Sequence, residues 1–391
     1  MPSLRDHWRI DPEIAYLNHG SFGACPTAVL ETQSELRARM EHGLVLFLAR
    51  ELEGLLDEAR EPLASFIGAE AQDVAFVSNA TSGVNAVLRS MELSPGDEIL
   101  VTNHGYNACN NAVDFATERA GAKTVVAEVP FPLTSKQDVI DAVLEKVTPR
   151  TRLALLDHIT SATGIVFPIQ DLIAALSERG IETLVDAAHA PGMLELDVAA
   201  WNPAYYTGNC HKWICAPKGA AFLWVRRDLQ PTVRPAVISH GANSERPGRS
   251  RYLQEFDWTG TQDPTPWLAI PKALEVMGSL FEDGWNGLRR HNKELLLQGR
   301  ALVLEALGTA PPVPDSMLGS LASLLLPADP GSTTAPGSAF EVDPLQARLF
   351  DHHHIEVPIM WSSAAGQRLI RLSAQAYNEP GEFERLAVAL A

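Results

Sequence analysis

Three stretches of this sequence carry residues that could do chemistry together. Lys212 stands in "YYTGNCHKWICAPKGAAFLWV" (205–225), a cation among Tyr, Cys, Trp and Ile just after a strand-like run. A lysine there either snorkels its ammonium to solvent or sits partly dry, with the lowered pKa that a Schiff-base or proton-transferring amine needs. Asp186 ends the apolar run "ETLVD", where a carboxylate needs a cation or several donors. It is either a helix cap, half of a structural ion pair, or a ligand group. The run "VAFVS" leads into "NATSGVNAVL", Asn79 to Leu88, with a helix expected from Val84. Its free N–H groups and two hydroxyls make either a phosphate cradle or an ordinary helix cap.

One edge of one sheet would have to hold all three. Short apolar runs at 74–78, 98–102, 123–129, 152–158, 182–187 and 221–225 alternate with amphipathic stretches. In "PIQDLIAALSERG", Ile169, Leu172, Ile173 and Leu176 follow helical spacing between Pro168 and Gly180. Such alternation predicts an α/β fold with a mainly parallel sheet covered on both faces, and ligands beyond the carboxyl ends of its strands. Upstream, Leu48, Leu52, Leu55, Ala59 and Leu63 trace one face of a long helix, either core or subunit interface. The C-terminal third reads as a smaller α+β domain. The tracts 239–251 and 327–338, rich in Gly, Pro and Ser, are the weakest-ordered candidates.

Pyridoxal 5′-phosphate accounts for the three stretches at once. Its phosphate needs a helix end, its aldehyde an amine, and its pyridine nitrogen a carboxylate that keeps it protonated.

Bulk properties agree with a soluble globular protein. A chain of 391 residues, 46% hydrophobic and 20% charged, can bury a large core. A formal charge of −17 argues against nucleic acid or anionic membrane as partners. No apolar run approaches a membrane span, and "MPSLRDHWRIDPE" lacks the apolar stretch of a signal peptide, so a cytoplasmic protein is expected. Cys25, Cys109, Cys210 and Cys215 fit neither a paired zinc site nor a secreted disulfide framework. The tract "DHHHIEVPIMW" (351–361) looks metal-like, but adjacent side chains in a strand cannot converge on one ion, so a solvated or substrate-facing loop and no metal are expected.

The motifs "YLNHGSFG", "SATGIVFPI", "LVDAAHAPG", "YTGNCHKW", "WTGTQD" and "RLSAQAYN" resemble those of fold-type I, class V aminotransferase-like enzymes, the group that includes cysteine desulfurases. Within it they are most similar to the isopenicillin N epimerase-like subgroup, from about Tyr16 to Asn378. The resemblance implies a large cofactor domain (16–262) with a mainly parallel seven-stranded sheet. It also implies a small C-terminal α+β domain (263–391) and an N-terminal segment (1–15) packed on that small domain. Lys212 would carry the cofactor and move the Cα proton, and Asp186 would pair with the pyridine nitrogen. His189 would lie near the phenolic oxygen, where related desulfurases more often have Gln. Ala80, Thr81, Asn209 and His211 would hold the phosphate. Tyr106 would stack on the ring, with Asn107 as the alternative register and a core aromatic as the alternative role. Ser161 either touches the cofactor or shapes a turn. Thr261 would reach the phosphate of the other subunit of a homodimer. Arg371 would bind the substrate carboxylate, or else serve a structural salt bridge. His19 is placed with the substrate and, like Tyr106 and His158, is a candidate second proton donor.

A class V desulfurase attacks sulfur with a cysteine from the C-terminal domain, and this chain has none after Cys215. What remains is proton chemistry at the Cα of an amino-acid-type small molecule: an epimerase first, a cysteine-independent C–S β-lyase next. A transaminase and an inactive binding protein come after these.

Overall fold

The structure, a computed structural model, describes residues 3–327 and 341–391. The tract expected to be weakly ordered at 327–338 therefore lies, after its first residue, outside the described residues.

Twelve strands form in the described residues. They are β1 Ala15–Tyr16, β2 Val74–Val77, β3 Glu98–Thr102, β4 Lys123–Ala127, β5 Thr151–Asp157 and β6 Glu182–Asp186. Then come β7 Tyr205–Asn209, β8 Ala221–Val225, β9 Leu321–Leu325, β10 Ile355–Glu356, β11 Ile359–Ser362 and β12 Gln367–Ser373. Seven build one sheet in the order β2-β8-β7-β6-β5-β3-β4. Their continuous apolar runs fit burial on both faces; β5 through β8 are almost wholly buried. Only β8 runs against the rest, paired antiparallel to both β2 and β7. That leaves the carboxyl ends of β2, β3, β5, β6 and β7 at one edge.

A second sheet, β11-β12-β9, is antiparallel and belongs to the C-terminal third. β1 pairs with β10, and Arg5 bridges to Glu382 at 3.0 Å, so the N-terminal residues fasten to the C-terminal ones.

Four local expectations change. The helix after β2 begins at Ala80 rather than Val84, because the Asn79 side chain accepts the Ser82 N–H and caps it. The upstream helix is interrupted. A π-helical turn spans Leu46–Glu51 before the α-helix Leu52–Phe66, with Leu52, Ala59 and Leu63 buried and Leu48 and Leu55 only half-buried. The stretch 239–251 is pinned rather than loose: Arg249 bridges Asp57 (2.9 Å) and Asp257 in a network shared with buried Arg60. His352 and His353 close the exposed last turn of the helix Pro344–His353, and His354 caps it with positive φ.

Candidate active site

The strand ends converge on a cavity of about 750 Å³. Nine residues singled out in the sequence line it: Ala80, Thr81, Tyr106, Ser161, Asp186, His189, Asn209, His211 and Lys212. Asp186 is the last residue of β6, Asn209 the last of β7, and Lys212 lies in the turn that follows.

Two glycines hold that turn in place. Gly23, with φ of +68°, lies so close to it that a Cβ would stand 2.1 Å from the His211 carbonyl oxygen. Gly192, with φ of +90°, packs on Trp213, where a Cβ would come within 2.5 Å of its backbone. Both the left-handed backbone and the close approach exclude side chains. The motifs "NHGSFG" and "AHAPG" are thus clamps on the lysine turn.

Lys212 Nζ lies 3.0 Å from His189 Nε2. Burial, reinforced by the Arg371 charge, lowers the Lys212 pKa to about 8, against the opposing pull of Asp186 and Cys109. Burial first and then Lys212 and Arg371 push the His189 pKa well below its usual value, so that imidazole is neutral. Asp186 accepts from the Cys109 thiol (3.1 Å) and the Ala188 N–H (3.0 Å). Burial raises its pKa and those donors hold it down.

At the far end the helix Ala80–Ser90 points its N-terminus into the cavity. Asn209 Oδ1 takes the Ala80 N–H at 2.8 Å, and no acceptor among the described residues takes the N–H of Thr81. His211 Nδ1 bonds the Ala220 carbonyl at 3.0 Å, so Nδ1 carries the proton and Nε2 is left free. Side-chain amide, hydroxyl and helix end together suit a phosphate.

Arg371 adjoins this cavity rather than lining it. It is buried, donates to the Ser161 carbonyl (2.7 Å) and the Ser21 hydroxyl (2.9 Å), and leaves Nε without a partner. Burial lowers its pKa to about 10. No carboxylate pairs with it among the described residues. Of the two possible registers after β3, it is Tyr106, not Asn107, that lines the cavity.

Three expected residues are elsewhere. His19 is fully buried behind the lysine turn, with Nδ1 on Tyr377 Oη (2.9 Å) and Nε2 on the Lys212 carbonyl (3.0 Å). Both ring nitrogens are spent on structure, which corrects the placement of His19 beside substrate. His158 turns away to Tyr206 Oη at 2.8 Å, packed against Trp201. Thr261 is exposed and outside the cavity of its own chain.

The four cysteines are free and buried, and none lines the cavity. Burial pushes Cys25 up to about 12 and Cys109, Cys210 and Cys215 well above the ordinary thiol range, so none offers a thiolate near pH 7.

The sequence matches the model of the family described as aminotransferase class-V over residues 24–298. It is 34% identical to an isopenicillin N epimerase of Amycolatopsis lactamdurans, over 99% of this chain and 97% of that one. It is 30% identical to an Arabidopsis thaliana protein named probable L-cysteine desulfhydrase, chloroplastic, over 97% of this chain and 83% of that one.

The chain belongs to the aminotransferase class-V family.

Its fold is that of solved fold-type I enzymes. A cysteine desulfurase from Thermococcus onnurineus superposes with a TM-score of 0.78 at 19% identity, covering 98% of this chain and 96% of that one. The cofactor of this class-V enzyme is pyridoxal 5′-phosphate, and the amine, carboxylate and helix end described above are the donor set that group requires.

Ser21 and Asp157, both in the cavity, lie outside the set expected from the sequence. Ser21, inside "NHGSFG", lines the cavity and links Arg371 to Asn18, whose side chain reaches Glu356. Asp157 lines it as well. The signal was present, since Asp157 ends an apolar strand just as Asp186 does.

Proposed function

We propose that this class-V enzyme changes the configuration at the Cα of an amino-acid-type substrate, as an isopenicillin N epimerase-like epimerase. The observation that carries the reading is the buried Arg371, a cation with no carboxylate partner among the described residues and a spare Nε, beside a lysine whose pKa burial has lowered to about 8. A substrate carboxylate supplies the missing anion, in the bidentate form a planar guanidinium prefers.

Bound pyridoxal phosphate supplies an electron sink for the pair left at Cα. The protein does the rest. Lys212 holds the cofactor and moves the Cα proton at Nζ. Asp186 keeps the pyridine nitrogen protonated. The Ala80–Thr81 helix end, Asn209 and His211 would hold the phosphate, and the His189 ring would lie near the phenolic oxygen. Inverting a centre takes a second proton donor. Of the three candidates, Tyr106 alone reaches the cavity, and burial with the nearby Cys109 and Asp186 raises its pKa so that it keeps its proton at neutral pH. The 34% identity to an isopenicillin N epimerase over nearly the whole chain supports this order of preference.

A C–S β-lyase is the second reading, favoured by the relatives named L-cysteine desulfhydrase. Persulfide transfer is disfavoured by the four buried thiols.

A homodimer completes the proposal. Leu44, Val45 and Leu46 are exposed, and an apolar groove of about 490 Å³ runs from Leu44 to Trp258, three residues before Thr261. A second copy seated there would bring Thr261 toward its neighbour's phosphate site. Four free, buried thiols fit a reducing cytoplasm.

The deciding experiment incubates the loaded enzyme with a panel of L-amino acids and cysteine derivatives in deuterated water. Epimerisation gives deuterium at Cα and both configurations without ammonia or keto acid. Release of ammonia and a keto acid from a sulfur-bearing substrate selects the lyase. Sustained amino transfer to a keto acid as the main reaction overturns both.

A further inference from the structure

Asp157 is 5% exposed and lines the cofactor cavity. It closes β5 directly beside Asp186, the end of β6, and the two are register partners in a parallel ladder. Register partners on adjacent parallel strands stand about 4.8 Å apart and project to the same face. Two carboxyls so placed and so buried cannot both ionise at little cost.

Their surroundings decide which keeps the proton. Asp186, 3% exposed, has the Cys109 thiol, the Ala188 N–H and the Lys212 cation in its favour. Asp157 receives no side-chain hydrogen bond among the described residues. Asp186 on β6 and Cys109 on the helix Asn107–Ala120 face it, and neither is a cation. Backbone N–H groups at Tyr106 and Asp157 are its only help. The neighbouring histidines are engaged elsewhere, His104 with Thr163 and the Val129 carbonyl, His158 with Tyr206.

We propose that Asp157 is a positioning residue for the cofactor, a protonated carboxyl that shares a dyad with Asp186 and limits the pair to one negative charge opposite one pyridine N–H. The assignment rests on the pyridoxal phosphate site described above. The dyad matches charge for charge at neutral pH. When Asp157 ionises at higher pH, the pair becomes a dianion, which burdens the empty protein and is relieved by a bound cationic ring.

The sign follows from linkage. Burial, first, and the Asp186 charge raise the Asp157 pKa well above the ordinary carboxyl value. A carboxyl raised in the folded state contributes stability that is complete below its unfolded pKa and is lost as pH rises toward the folded one. The apoprotein of the natural sequence should therefore lose thermal stability from about pH 4 upward more steeply than Asp157→Asn, the gap growing to several degrees by pH 9. Asp157→Ser, which also lacks the titrating group, should show the same flattened pH dependence whatever its absolute stability.

Cofactor binding gives the second readout. At pH 7 Asp157→Asn should hold pyridoxal phosphate within about threefold of the natural protein, since a neutral group replaces a neutral group. At pH 9 the natural protein should gain affinity over the variant by about tenfold, and the pH midpoint of its visible band should differ from the variant's. Parallel stability and affinity profiles for the natural protein and both variants would sink the dyad and leave the cofactor site standing. A tenfold or greater loss of affinity in Asp157→Asn at pH 7 would overturn it too, by making Asp157 the ionised member. Failure of the natural protein to bind pyridoxal phosphate at all would remove the cofactor assignment and the dyad together.

Discussion

The indole N–H of Trp213 lies 3.3 Å from Nδ1 of His189 and selects the tautomer of that ring. An indole can only donate, so Nδ1 must accept and a neutral His189 carries its proton on Nε2. That N–H faces Lys212 Nζ at 3.0 Å, and only the uncharged amine can accept it. The residue next to the lysine in sequence thus favours the nucleophilic form of the lysine through a histidine 23 positions away.

Replacing Trp213 with Phe should free the second tautomer of His189 and weaken this preference. One buried hydrogen bond is worth about 1 kcal/mol, so turnover should fall roughly five- to tenfold. The pH midpoint for cofactor loading should move upward with it. An unchanged loading midpoint in a folded Trp213→Phe protein would show that the indole does not act on the lysine.

Loading itself should report the Lys212 pKa. Below about 8 the amine is protonated, so the initial rate at which apoprotein acquires its visible band should rise with pH and level off above that value. An ordinary lysine would keep rising toward about 10.4. Borohydride should bleach the band, and peptide mapping should place the reduced pyridoxyl group on Lys212. A label on Lys218, whose Nζ donates to the Gly23 carbonyl at 2.6 Å, would move the cofactor attachment to that lysine.

Asp186→Asn should keep the shape of the pocket and lose its charge. If holding the pyridine nitrogen protonated is worth about 3–4 kcal/mol in the rate-limiting barrier, turnover drops by roughly a hundredfold or more. Steady-state kinetics at saturating substrate check this, and near-natural turnover would remove Asp186 from the mechanism.

Arg371→Lys retains a cation but cannot form the fork. The charged hydrogen bonds lost are worth about 1.5–3 kcal/mol, so kcat/KM should fall by roughly 10- to 100-fold, with KM raised and kcat lowered together. A purely structural arginine would instead lower thermal stability and leave KM alone.

The sequence by itself determined the large sheet and the identity of the cofactor. Continuous apolar strands such as 98–102 and 221–225 carry their own boundaries, and the structure returns them unchanged. Lys212, Asp186 and the Asn79 turn were legible because each breaks an apolar pattern where a strand stops. Asp157 broke the pattern identically, yet nothing local tells that β5 and β6 are neighbours in register. His19 failed for the complementary reason. A histidine in the family-like motif "NHGSFG" reads as functional until tertiary packing shows Tyr377 and the Lys212 carbonyl on its two nitrogens. Pairings across 358 and 193 positions are set by how the chain closes, and the local pattern around His19 holds no trace of them. The same holds for Arg371, whose hydrogen bonds to Ser161 and Ser21, with no carboxylate beside it among the described residues, are a property of everything packed around it. Strand spacing and residue type are local and can be read along the chain. Which buried charge finds a partner is decided only when distant segments compete for the same space.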